Sequence, residues 1–103
     1  MIQVFGAFIS GELPCRAKWG GNGESFVFKI LPDFEVYPWS QENSYFLLNS
    51  YDFIVIGGGT DNAITINKNI DRGHSGVCET FQSDPLCEAG DYQIVSIEVW
   101  GFV

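Results

Sequence analysis

His74 is the only histidine of the chain, and Ser75 and Cys78 follow it closely enough to suggest a base beside two nucleophiles. A nucleophilic triad is a geometry between distant segments, however, and neighbours within one loop do not make one. A solvent-facing or turn-capping histidine is the simpler expectation. Cys78 has Arg72 and His74 nearby to lower its pKa, which would make it a peroxide target, while adjacent Glu79 opposes that effect. Free cysteine commonly fills small apolar sites, so a buried and inert Cys78 is favoured. Metal ligation has little support: Cys78 and Cys87 match no zinc spacing, and Asp61, Asp71, Asp84 and Asp91 are scattered rather than set in a calcium-loop pattern. No metal and no cofactor is expected.

The triplet Gly57-Gly58-Gly59 follows an apolar run as a phosphate loop would, but Thr60-Asp61-Asn62 and another strand-like stretch come next. Without a helix N-terminus or a lysine to hold the phosphate, the glycines read as a turn where backbones pass closely or take positive φ. Gly20-Gly21-Asn22-Gly23 reads the same way, with the Glu24 carboxylate as an acceptor for backbone N–H groups. Glu98 is the carboxylate of most interest. It lies within an apolar alternation beside Trp100, so it should sit at a sheet margin or have its charge met internally.

The elements that must position these groups are strands, because the pattern has period two and is rich in β-branched and aromatic residues between Gly, Pro, Asn and Asp. Residues 2–9 form a run apolar on both faces, which suits a strand covered on two sides. Phe26, Phe28 and Ile30 share one face of the next strand and Ser25, Val27 and Lys29 the other. Residues 35–37 are a short extended piece ended by Pro38. Residues 44–49 and 52–56 form a hairpin, Ile64 and Ile66 mark a further strand, and residues 94–100 a long closing strand. At most one helical turn fits near Gln41 or Pro85. The outcome is a mainly β fold, an antiparallel two-sheet β-sandwich with at most short helices.

At 103 residues the chain is one small domain, and 46% hydrophobic residues supply a core. Thirteen Asp+Glu against five Lys+Arg give a net charge of -8, which disfavours a nucleic-acid or anionic-membrane surface and favours a basic patch on a protein partner. No uninterrupted apolar stretch exceeds four residues, so no membrane insertion is expected. The odd, sparse Cys15, Cys78 and Cys87, with no C-x-x-C and no leader-like opening, indicate a reduced cytoplasmic compartment.

Several segments, taken in order, resemble the TLDc domain. They are Val4-Phe5-Gly6-Ala7-Phe8, Gly21-Asn22-Gly23-Glu24-Ser25-Phe26-Val27-Phe28, Ile56-Gly57-Gly58-Gly59, Gly73-His74-Ser75 with Cys78-Glu79-Thr80-Phe81, Pro85-Leu86 and Ile97-Glu98-Val99-Trp100-Gly101-Phe102. The resemblance implies a β-sandwich of oxidation-resistance proteins and TBC-domain proteins. It implies no settled enzymatic reaction, a part in the oxidative stress response, and binding to cytosolic subunits of the vacuolar proton-pumping ATPase (V-ATPase), which the domain would regulate.

By that comparison residues 1–103 are the C-terminal two-thirds of the domain, lacking a helical segment and a first strand, so self-association of the chain is expected. Placement would be cytoplasmic, at vacuolar, lysosomal or vesicle membranes through the partner. The contact loops would carry Glu24, Gly57, Gly58, Gly59, Asp61, Arg72, His74, Ser75 and Glu98, since binding residues concentrate on loops held by a rigid scaffold. The alternatives are a peroxide-reactive thiol protein using Cys78 or Cys87, an enzyme of unknown reaction, and an inactive structural fragment.

Overall fold

Short apolar alternations punctuated by turn residues favour strands over helices, and the computed structural model, which describes residues 2–12 and 18–101, holds nine strands and no helix among them. Cys15 lies outside the described residues. Strands β1 (Val4–Phe8), β3 (Phe26–Leu31) and β4 (Glu35–Pro38) form an antiparallel three-stranded sheet with β3 in the centre. The remaining six, β2 (Trp19–Gly20), β5 (Leu47–Asn49), β6 (Phe53–Ile56), β7 (Ile64–Asn67), β8 (Arg72–His74) and β9 (Asp91–Gln93), follow one another across a second antiparallel sheet. The expected hairpin is present as β5 and β6, and the expected sandwich is the pair of sheets.

The core lies between the sheets. Val27 of β3 meets Phe46, Ile56, Ala63 and Ile64 from the larger sheet and its flanks, while Cys78, Phe81 and Leu86 arrive from the segment between β8 and β9. Each fully buried side chain of this size contributes about 1.5–3 kcal/mol relative to exposure. On β3 the buried face is the one carrying Ser25 and Val27. The phenylalanine face points away from the core, where Phe28 lies over Gly6 of β1 so closely that a Cβ there would sit 2.9 Å from the ring. Phe8 and Phe26 stack beside it at 5.4 Å between ring centres.

Residues 94–100, expected as a long closing strand, form none. The ladder ends at β9, and after the Ile94 N–H donates to the Asp71 carbonyl the chain runs on without strand pairing. Alternation supplies a face, but a strand exists only where a neighbour offers its own N–H and C=O groups, and no described strand lies alongside. Val95 and Trp100 are consequently 90% and 75% exposed. The first strand is shorter than residues 2–9 and less covered, with Ile2 largely in solvent.

Candidate functional site

Three strands and one loop meet around His74. Antiparallel pairing sets His74 of β8 opposite Thr65 of β7 on one side and Asp91 of β9 on the other. The loop after β6 returns to the same place, because the Gly76 N–H donates to the Asn62 carbonyl. That loop is built by its glycines. Gly57 and Gly59 take φ of +82° and +122°, and the segment they release is gripped by polar groups. The Thr80 hydroxyl accepts the Gly58 N–H at 2.9 Å, Asn62 Nδ2 donates to the Gly57 carbonyl at 2.7 Å, and the Glu79 carboxylate accepts both the backbone N–H and the hydroxyl of Thr60. The Thr60 N–H is the chief reason the Glu79 pKa lies below the ordinary value.

At the centre is a carboxylate–imidazole–carboxylate bridge. His74 Nε2 lies 2.8 Å from Asp61 Oδ2, and Nδ1 lies 2.7 Å from Asp91 Oδ1. The hydrogen bond to Asp61, followed by that to Asp91, raises the His74 pKa. The same hydrogen bond, helped by the Asn62 N–H, lowers that of Asp61. Below the cluster Tyr92 donates its hydroxyl to the Thr65 carbonyl at 2.7 Å, and burial pushes its pKa up to about 12. A shallow open concavity lined by Arg72, Gly73, Asp91, Tyr92 and Gln93 adjoins the bridge.

Of the residues singled out in the sequence, the structure brings Gly57, Gly58, Gly59, Asp61, Arg72, His74 and Ser75 into this one region. Ser75 is buried and its Oγ accepts the Leu86 N–H at 2.7 Å, a structural role, while both imidazole nitrogens are turned to carboxylates instead. His74 is neither free in solvent nor a turn cap. Cys78 is fully buried with its thiol 3.5 Å from the Gly58 carbonyl, and Cys87 is buried and unbridged as well.

Two residues fall elsewhere. In its loop Glu24 is not the acceptor: Asn22 Oδ1 accepts the Glu24 N–H at 3.0 Å, because the shorter side chain closes the turn. Glu98 lies in the unpaired closing segment, exposed and without a hydrogen-bond or charged partner among the described residues, so the expectation of an internal partner fails with the strand that would have supplied one. Glu98→Gln should therefore change stability by less than about 0.5 kcal/mol, as read from urea unfolding midpoints. The sequence reading missed Asp91 as the second carboxylate. Its one local signal is its place at the head of Asp91-Tyr92-Gln93, a triplet too short to stand out.

No helix of the described chain is long and apolar enough to cross a membrane, and no three His, Cys, Asp or Glu side chains among the described residues are placed to hold a metal ion together, the two nitrogens of His74 being turned to Asp61 and Asp91.

The TLDc domain family matches residues 2–103. Oxidation resistance protein 1 of Bos taurus is 38% identical over 101 residues, covering 97% of this chain and 12% of that protein. The GTPase-activating protein skywalker of Drosophila melanogaster is 34% identical over 119 residues, covering 98% of this chain and 20% of its own length. Nuclear receptor coactivator 7 of Homo sapiens is 33% identical over 101 residues, with 97% and 11% covered. The chain thus spans between about a tenth and a fifth of these relatives.

Proposed function

The chain belongs to the TLDc domain family, and from that premise we propose that it is a non-enzymatic protein-interaction module of oxidative-stress resistance whose partner is the cytosolic sector of the vacuolar proton-pumping ATPase. The observation that carries the reading is the likeness to oxidation resistance protein 1 along nearly the whole chain. The site supports it in a second way. Both nitrogens of His74 face carboxylates, Ser75 holds a backbone N–H, and Cys78 is sealed in the core, so the groups with nucleophilic or basic chemistry are spent on structure. What the region offers instead is a hydrogen-bonded, solvent-facing surface made of residues 59–62 and the β8–β9 end, where the carboxylates of Asp61, Glu79 and Asp91 outnumber the cations Arg72 and protonated His74, the kind of surface that complements a basic patch. The setting would be the cytoplasm, with membranes reached through the partner.

Affinity capture from cytosol on the immobilised chain, beside a peroxide-consumption assay on the purified chain, tests the proposal. Recovery of pump subunits and no peroxide turnover are expected; turnover without pump subunits would replace the module with a thiol enzyme. A companion prediction concerns the thiols themselves. Cys78→Ala and Cys87→Ala together should leave stress protection in cells unchanged at matched protein abundance, because thiols at 0% and 7% exposure are shielded from peroxide. Abundance must be matched, since emptying the Cys78 site removes core packing.

A further inference from the structure

Both ring nitrogens of His74 lie within hydrogen-bond distance of a carboxylate oxygen, and a carboxylate has no proton to give at neutral pH. A neutral imidazole carries one N–H and can satisfy one of the two; only the imidazolium donates to both. The geometry points to a proton-operated latch on the proposed docking surface: protonated His74 ties the loop of Asp61 to β9 through Asp91, and loss of the proton releases Asp91 into solvent while the bond to Asp61 persists. This rests on the reading of that region as the partner-binding face, and adds its regulation.

The two carboxylates are not equivalent, which decides where the break falls. Asp61 is 38% exposed and its other oxygen accepts the Asn62 N–H at 2.7 Å, so it is held in place with or without the histidine. Asp91 is 89% exposed, and among the described residues its carboxylate contacts His74 alone, so water replaces that contact at little cost. Among the described residues no other charge acts on the imidazole. β7 presents the neutral Thr65 opposite His74, and the turn before β9 presents Gly90 against the ring. Arg72, two residues earlier on β8, adds a cation to the adjoining concavity.

Protonated, the three side chains sum to one negative charge; neutral, they sum to two, and the second is mobile. A basic partner would accordingly meet a more negative and less rigid surface as pH rises. The raised pKa of His74 means that the stabilisation is complete below about pH 6.5 and fades as pH rises through the higher folded-state value. The lowered pKa of Asp61 closes the window at the acid end, its share being present above about pH 3.8 and lost as pH falls through the depressed value.

Nitrogen-detected NMR titration of the His74 ring on this chain, with the Asp91 carboxyl carbon followed in parallel, tests the latch without any partner. The titration should place the His74 midpoint above 6.5, with Nδ1 losing its proton while Nε2 keeps one, and the Asp91 carboxyl shifting at the same midpoint. Asp91→Asn, at an exposed position that cannot unfold the domain, should lower the proton affinity of His74 by about two- to fivefold. Loss of the Nε2 proton first, an Asp91 carboxyl indifferent to the His74 titration, or a midpoint unmoved by Asp91→Asn would overturn it. Failure to capture pump subunits would count against the docking reading and leave these ring titrations as they are.

Discussion

Gly57→Ala lowers the stability of the domain by about 2–5 kcal/mol, read as a fall in the urea midpoint at unchanged slope. Two independent costs act at this residue. Its φ of +82° lies in the left-handed region, where a side chain costs about 1–2 kcal/mol. The added Cβ would also sit 2.5 Å from Cys78 Sγ, 3.2 Å from Ala63 Cβ and 3.3 Å from Phe81 Cε2. Those neighbours belong to the buried core, so they give way only by repacking, at about 1–3 kcal/mol. Cys78→Ala in the Gly57→Ala background should recover part of the loss, because it removes the nearest atom; the strained backbone is left, and a double-mutant cycle separates the two. Gly101→Ala is the control, with nothing within 4 Å of the new methyl, and should stay within about 0.5 kcal/mol of the parent. A Gly57→Ala chain as stable as the parent would mean that the loop does not pass over the core as described.

That glycine triplet was legible in the sequence because its constraint is local: glycines after an apolar run demand a turn with close backbone approach, whatever lies around it. The β5–β6 hairpin was legible for the same reason, its turn lying between its own two strands. The limits of the reading are where information is non-local. Residues 94–100 alternate as well as any strand here, but alternation cannot report whether a partner strand runs beside them. Arg72-Gly73-His74 has poor strand propensity and pairs all the same, since the register of β7 and β9 provides partners on both sides. In β3 composition favours the face of Phe26 and Phe28 as the buried one, yet sheet packing selects Ser25 and Val27. The bridge was invisible for a related reason: Asp61 and Asp91 lie 13 and 17 residues from His74, and only the fold of two crossing segments makes them neighbours. A lone histidine therefore reads as a surface residue until the ladder places a carboxylate on either side of it.

Phe81→Ala should lower stability by about 3–5 kcal/mol, the usual range for deleting a buried aromatic ring. Phe81 is 2% exposed although it belongs to no strand. It stands in the tight segment closed by the paired backbone bonds between Cys78 and Ser83, and its ring meets Phe46, which in turn meets Trp39 at 5.5 Å between ring centres. A loop residue thus fills the space between the sheets, and the cavity left by alanine cannot collapse while that segment is pinned at both ends. The preceding residue is Thr80, whose hydroxyl holds the Gly58 N–H, so slackening Phe81 also loosens the support of the glycine loop. Phe81→Leu keeps most of the volume and should cost under about 2 kcal/mol, which separates loss of packing from loss of the aromatic contact itself. If residues 59–62 form the docking surface, both variants compared at equal folded fraction should bind the partner more weakly, the alanine more than the leucine. A Phe81→Ala chain with the parent's midpoint would show that the ring does not occupy the centre of the core, and the positioning of the glycine loop would then have to rest on Thr80, Glu79 and Asn62 alone.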